Sequence, residues 1–149
     1  MLDYPNEFLI SISGHYCKKG SEDVIYSLTI KSNKKTYGPF STEKGHAFTF
    51  PSKSGNKIIG FYGKAGCHLN SIGAYYEPIF DLKSWTRGDS FGRHGGCSWD
   101  DGTYTTVRKL IVCASDPGIE SIQIEYDDFG KSKLSNIHGR KNGTTHTVS

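Results

Sequence analysis

Residues 24–31 read Val-Ile-Tyr-Ser-Leu-Thr-Ile-Lys. Apolar side chains stand at every second position from Val24 to Ile30, and the positions between them include Ser27 and Thr29. A period of two places alternate side chains on opposite faces of an extended strand. The stretch therefore predicts a β-strand with one apolar face and one polar face.

The same alternation recurs along the chain and predicts further short strands, which lie near residues 8–12, 58–62, 72–76, 106–113 and 122–126. Clusters of turn-forming residues separate them, at 18–21, 32–35, 53–56, 127–130 and 141–143. No segment of ten or more residues carries the 3.6-residue period of an amphipathic helix. Many short strands at this spacing predict an all-β sandwich, barrel or related architecture.

Length and composition limit the classes of protein to consider. A chain of 149 residues is the size of one domain, and aromatic residues at 13% indicate that it folds. A net charge of +3 is too mild to suggest a nucleic-acid partner. The sequence shows neither a membrane-length apolar run nor a signal peptide, so we expect no membrane insertion and a cytoplasmic location, with the cysteines reduced.

Candidate catalytic and metal-binding groups are sparse. Cys67 and His68 are neighbours, and neighbours on a strand point to opposite faces, which argues against a thiolate–imidazole pair. The pair His15 and Cys17 has no second pair to complete a zinc site. The run 100–102, Asp-Asp-Gly, is more typical of a turn than of an acid–base site. We expect no catalytic residue, no metal and no cofactor.

Two glycine-rich loops, at residues 63–70 and 92–102, are the remaining candidates for a site. Glycines let a ligand approach the main chain and its N–H groups closely. A short polar side chain such as Asn70 can then fix hydroxyl groups, which suits capture of a sugar. The alternative interpretation is that both segments are simple hairpin loops.

Residues 79–94 lack clean alternation and are rich in turn formers. We interpret them as a linker between two strand-rich blocks, 1–78 and 95–149. Because neither block is long enough to enclose much of a core, we expect the two to fold together as a single domain over residues 1–149.

Four stretches resemble one known family, the jacalin-related lectins of plants. They are residues 2–8 with Ser13-Gly14, residues 27–40, residues 59–72, and residues 95–108, which include Gly-Gly-Cys-Ser-Trp-Asp-Asp-Gly. The resemblance implies a β-prism of three four-stranded antiparallel Greek-key sheets around one core. It also implies carbohydrate binding without catalysis or a cofactor.

The order of these stretches is unusual for the family. The segment at 95–102 normally opens the domain, and the piece that begins with Leu2 normally lies in its middle. The chain therefore resembles a circular permutant of one lectin domain, or one out-of-phase period of a tandem array. Two half-domains joined by a linker can pair within one chain or exchange with those of a second copy of the chain. We therefore expect a monomer together with some domain-swapped homodimer.

The resemblance also implies where a sugar binds. The family's Gly-x-x-x-Asp loop falls on residues 66–70, and its glycine-rich segment falls on residues 95–96. A third loop, which contributes to selectivity in the family, falls near residues 21–23. The implied carbohydrate-binding residues are Gly66, Cys67, His68, Leu69, Asn70, Gly95, Gly96, Glu22 and Asp23. On this placement the loops that carry Cys67 and Cys97 should converge.

One position departs from the family pattern, because Asn70 stands where the family has aspartate. An amide offers one acceptor oxygen and loses the charge assistance of a carboxylate, which weakens binding, and Asn70→Asp should strengthen it. Galactose-type members use a freed N-terminal glycine amine, which Gly96 in mid-chain does not supply. The resemblance thus favours glycans that contain mannose or glucose. The alternative is a degenerate lectin fold that acts as a protein-interaction module.

Overall fold

The computed structural model describes residues 2, 6–51, 54–79, 85–116 and 118–148. These residues form strands, turns and loops, and none of them belongs to a helix that could cross a membrane. The strands are β1 (Leu9–Lys19), β2 (Glu22–Ser32), β3 (Thr36–Ser41), β4 (His46–Phe50), β5 (Asn56–Ala65), β6 (Leu69–Pro78), β7 (Thr86–Phe91), β8 (Cys97–Asp100), β9 (Thr106–Ala114), β10 (Ile119–Asp128), β11 (Lys131–Leu134), β12 (His138–Gly139) and β13 (Thr144–Val148).

The strands form three antiparallel sheets with one repeated connectivity. The first sheet has the order β3-β2-β1-β4, the second β7-β6-β5-β8, and the third β11-β10-β9-β13, with the short β12 also paired to β10. Each order is a Greek key, in which the fourth strand returns beside the first. The predicted all-β prism of Greek-key sheets is confirmed, with one sheet of five strands instead of four.

One hydrophobic core lies between the three sheets. It contains Leu28 from the first sheet, Phe61 from the second and Tyr126 from the third, each with no exposed surface. The predicted inward faces at 72–76 and 122–126 are confirmed, since the apolar members of both runs belong to this core. Burial of such side chains contributes about 1.5–3 kcal/mol each.

The alternation predicted for residues 24–31 is interrupted at Tyr26. Ile25 pairs with Tyr16 and Ser27 pairs with His15, so Tyr26 is an extra residue, a β-bulge, in β2. The bulge shifts the phase, so that Ile25 lies in the core while Tyr26 is only partly buried. The predicted inward placement of Tyr26 was therefore wrong.

The predicted linker at 79–94 contains a strand, which corrects the interpretation of this segment. Strand β7 pairs with β6, and its Phe91 ring stacks on that of Phe48 at 5.1 Å between centroids. Gly88 is needed there, because a Cβ at this position would lie 2.3 Å from the Tyr76 ring. Clean alternation is absent because β7 is an edge strand with mostly exposed side chains. Residues 80–84 lie outside the described residues.

Residues near both ends of the described chain lie beside the same strand. The backbone N–H of Leu2 donates to the carbonyl of Arg108, and Val148 pairs with Leu110 on β9. Proximity of this kind makes a circular permutation physically tolerable. The permuted order and the exchange of halves stay predictions.

Candidate functional site

The loop between β5 and β6 lies at one end of the second sheet. Its turn is closed by a hydrogen bond from the Gly66 N–H to the His68 carbonyl, at 3.0 Å. Gly66 and Cys67 are exposed, whereas Leu69 and Asn70 are buried. The loop therefore presents main chain to solvent on one side and anchors itself with Leu69 on the other.

Gly95 and Gly96 form a wall against this loop. Both have positive φ, 106° and 71°, a region that residues with a side chain rarely adopt. A Cβ at Gly96 would lie 2.5 Å from Asn70 Oδ1, and one at Gly95 would lie 2.8 Å from Glu22 Cγ. Glycine is thus required at both positions by conformation and by space.

Gly66 completes the surroundings of Asn70. A Cβ at Gly66 would lie 3.4 Å from the Gly96 Cα and 3.9 Å from Asn70 Oδ1, which is ordinary contact. Unlike the two wall glycines, Gly66 is not in the left-handed region. The role of Gly66 is to leave space open above Asn70, and not to supply an unusual backbone conformation.

The Asn70 side chain is 1% exposed and its two polar atoms differ in their partners. Nδ2 donates to the backbone carbonyl of Asp23 at 2.7 Å, which defines the orientation of the amide. Oδ1 has no hydrogen-bond partner within the described part of the chain. An orphaned buried acceptor among three glycines is an arrangement that a ligand hydroxyl could complete.

This geometry adds a cost to the expected effect of Asn70→Asp. A carboxylate would set a second oxygen against the Asp23 carbonyl, where the amide now donates. The gain in sugar affinity stays a prediction, but a loss of stability opposes it. Sequence reasoning assigned the Asn70 amide to a ligand and missed that one of its N–H groups bonds the Asp23 carbonyl.

Asp23 holds the neighbouring loop in place. Its carboxylate accepts hydrogen bonds from the N–H groups of Arg93, at 2.7 Å, and His94, at 3.1 Å. Its own N–H donates to the His94 carbonyl at 2.8 Å. Because Asp23 is 4% exposed, this side chain positions the segment before Gly95. Glu22, beside Gly95, is the more accessible of the two acidic residues.

The His68 side chain turns toward the third sheet. Its Nδ1 lies 3.1 Å from Glu120 Oε2, and Ser115 Oγ donates to the other Glu120 oxygen at 2.5 Å. Nδ1 is within ion-pair distance of Glu120 but makes no hydrogen bond within the described part of the chain. The main chain of residues 67–68 and the exposed Cys67 side chain remain for a ligand. No three His, Cys, Asp or Glu side chains of the described residues are grouped as a metal site.

The predicted site residues do come together. Ala65 pairs with Cys97 across β5 and β8, so the loops at 66–70 and 95–96 meet, and Asn70 joins them to the start of β2. All four cysteines are free, and Cys67 and Cys97 are exposed. Sequence reasoning missed Arg93 and His94, which it placed in the linker, because only the fold shows that their N–H groups meet Asp23.

A cavity of about 300 Å³ lies on the outer face of the second sheet. The guanidinium of Arg87 lies 3.9 Å from the centre of the Tyr62 ring, and Tyr75 donates its hydroxyl to Asp100 at 2.6 Å. These groups satisfy one another. Trp99 Nε1, beside this cavity, is a buried donor without a hydrogen-bond partner among the described residues, whereas Asn70 Oδ1, among the glycines, is a buried acceptor without one.

Comparison with known proteins identifies the family. The model of the family described as "Jacalin-like lectin domain" matches residues 1–75 and 88–149. PYK10-binding protein 1 from Arabidopsis thaliana is 35% identical over 94% of this chain and 47% of its own length. An agglutinin from Castanea crenata is 37% identical over 95% of this chain and 49% of its own length.

A solved structure of a mannose-specific jacalin-related lectin from Morus nigra is 44% identical over 51% of each chain, with a TM-score of 0.47. The chain spans between about a third and a half of the length of the first curated relatives that it matches. Because the family model covers most of the sequence, the chain belongs to the jacalin-like lectin family.

Proposed function

We propose that this chain is a non-enzymatic lectin that captures a hexose of mannose or glucose type at the three-glycine site, formed by Gly66, Gly95, Gly96 and Asn70. The observation that carries the proposal is the buried Oδ1 of Asn70, which lacks a hydrogen-bond partner among the described residues. Leaving such an acceptor unpaired costs about 1–3 kcal/mol. A ligand hydroxyl that donates to it would recover that free energy.

The glycines decide what can approach. A Cβ at Gly66 would lie 3.9 Å from Asn70 Oδ1, so the glycine leaves room for a ligand atom close to that acceptor. The main chain of Cys67 and the Gly96 part of the wall border that position, and bare main chain allows a hydroxyl-bearing pyranose ring to approach closely. Hydrogen bonds to neutral partners give modest affinity, and we expect dissociation constants in the millimolar range.

The preference for mannose or glucose rests on Gly96. Its nitrogen is in a peptide bond to Gly95, in the middle of the chain, and so provides no charged amine next to the sugar. Recognition then depends on hydroxyl positions alone. Glycans that present terminal mannose or glucose are the proposed partners.

The test is a titration of the protein with methyl α-mannoside, methyl α-glucoside and methyl α-galactoside, followed by heteronuclear NMR. We expect the amide signals of residues 66–70 and 95–96 to shift with the first two glycosides and to stay in place with the third. No shift with any glycoside at tens of millimolar would overturn the proposal.

A second function has one specific observation in its favour. One N–H of the Asn70 amide is already used within the fold, and the acceptor that it offers to a ligand, Oδ1, is neutral and not a carboxylate. The weakened site is compatible with a lectin fold that binds a protein partner, and one relative is named for such binding. A silent sugar titration together with a folded spectrum would favour this alternative.

A further inference from the structure

A groove adjoins the proposed sugar site on the side of the first sheet. It consists of two cavities, of about 310 Å³ and about 530 Å³, which share Tyr16 and Arg93. The smaller one also contains Asp23 and His94. Both residues belong to the structure that holds Gly95 in place, so the smaller cavity is adjacent to the three-glycine site.

The smaller cavity is lined mainly by cationic and imidazole groups. Lys18, His46, Arg93 and His94 line it, and all four are exposed. The one acidic member, Asp23, is buried, and two backbone N–H groups compensate its carboxylate. The accessible charge in this cavity is therefore positive.

Two acidic groups near this groove could oppose an anion, and neither lines the smaller cavity: Glu22, which lies against Gly95, and Asp89. Asp89 lines the larger cavity and not the smaller one. In the smaller cavity, the Tyr16 ring lies 5.4 Å from that of His46 and adds an aromatic surface. Aromatic rings beside polar groups suit a sugar ring, and an arginine suits a carboxylate, to which its planar fork can donate two parallel hydrogen bonds.

We propose that this smaller cavity is a subsite for a hexuronic acid linked to the captured sugar. The carboxylate of that residue pairs with Arg93 and Lys18, and its ring lies against Tyr16. The inference rests on the proposed function, because the neutral sugar in the three-glycine site brings the acid into place. It goes further by naming an acidic oligosaccharide as the ligand.

The probes are two sets of disaccharides with mannose at the reducing end, glucuronosyl-mannose and glucosyl-mannose, each with β1→2, β1→3 and β1→4 linkages. The two members of a pair differ only at C6 of the non-reducing sugar, which is a carboxylate in glucuronosyl-mannose and a hydroxymethyl group in glucosyl-mannose. At low salt, we expect the acidic member of at least one pair to bind about fivefold more tightly, the scale of an exposed ion pair. At 1 M salt, where the Debye length is about 3 Å, this preference should disappear.

Three variants assign the effect. Arg93→Gln and Lys18→Gln should each reduce the preference for the acidic member and leave the affinity for methyl α-mannoside unchanged, since the backbone N–H of residue 93 still donates to Asp23. Lys131→Gln removes the same charge from an exposed position on β11 in the third sheet and should change nothing.

The outcomes separate the two proposals. Equal affinity for both members of every pair, with methyl α-mannoside still bound, would overturn the subsite alone. A preference that Lys131→Gln reduces as much as Arg93→Gln does would also overturn it, because net charge would then explain the effect. Failure of every sugar to bind would overturn the proposed function and, with it, the subsite.

Discussion

The side-chain amide of Asn70 donates a hydrogen bond to the backbone carbonyl of Asp23, with Nδ2 and O separated by 2.7 Å. This bond joins the start of β6 to the start of β2, and thus the second sheet to the first. Asp23 in turn holds the N–H groups of Arg93 and His94. The floor of the proposed site is therefore a chain of hydrogen bonds that runs through buried groups.

The first prediction concerns Asn70→Asp. We expect it to lower the free energy of unfolding at pH 7 by about 1–3 kcal/mol, because a carboxylate leaves the Asp23 carbonyl without its donor. The loss should shrink as the pH falls, since a protonated acid regains a donor. Urea denaturation at pH 7 and pH 4.5 measures both values. A variant as stable as the parent chain at pH 7 would contradict the role given to Nδ2.

The second prediction separates the glycines of the site. Gly66→Ala and Gly66→Val should leave stability within about 0.5 kcal/mol but weaken sugar binding progressively, because the added carbons fill the space above Asn70. Gly96→Ala should instead lower stability by about 1–3 kcal/mol, since this residue has a φ of 71°. Thermal melts and the methyl α-mannoside titration distinguish the two effects. Unchanged binding by Gly66→Val would place the sugar elsewhere.

The third prediction compares two neighbouring cations on β9. Arg108 Nε donates to Asp127 Oδ1 at 2.9 Å, and the Asp127 side chain has no exposed surface. Lys109 Nζ lies 3.7 Å from Glu125 Oε1 in a partly exposed pair. Arg108→Met should cost about 3–5 kcal/mol, because it leaves a buried carboxylate without its cation.

Lys109→Met is the matched control for this measurement. It changes the same charge one residue further along the strand and should cost about 0–1 kcal/mol. Urea denaturation of the two variants gives the comparison. Equal losses of stability would show that burial of the carboxylate is not what makes the Arg108 pair important.

The fourth prediction concerns alkaline pH. Burial, together with the hydrogen bond that Tyr37 donates to Glu7 at 2.9 Å, raises the pKa of Tyr37 from 10.0 to about 12. Because the folded state keeps the proton longer than the unfolded state does, this contribution to stability is complete below pH 10 and is lost as the pH rises toward 12. Tyr37→Phe should therefore lose less stability over this range than the parent chain does.

Denaturation at pH 9, 10 and 11 measures this difference. The pKa of Tyr126 is also raised, by burial and by Asp101, so the variant should still lose some stability. Identical pH profiles for the two chains would exclude Tyr37 as a contributor. A titration of phenol absorbance on both chains shows whether one late-ionising hydroxyl is lost with Tyr37.

The fifth prediction uses the thiols as probes of the site. Cys67 and Cys97 are exposed beside the three glycines, whereas Cys113 is buried. Iodoacetamide should modify the first two before the third and should abolish sugar binding, because the adduct occupies the loop surface. Methyl α-mannoside should protect Cys67, as mass spectrometry of timed samples can show. Modification without loss of binding would separate these thiols from the sugar.

Local patterns in the sequence were enough for the class of fold. The alternation at 72–76 and 122–126 predicted core strands that the structure confirms, because each face of these strands is decided by adjacent residues. The glycine-rich loops also predicted a candidate site, and Gly95 and Gly96 do have backbone conformations that glycine adopts most readily.

Tertiary structure decided the features that depend on residues far apart in the chain. The bulge at Tyr26 exists only in the pairing of β2 with β1, and β7 is a strand only because β6 lies beside it. The donor role of Asn70 requires the carbonyl of Asp23, which is 47 residues away in sequence. Periodicity depends on residues that are neighbours along the chain. Strand register, the burial of a polar group and the partner of that group depend on strands that meet only when the sheets close around the core.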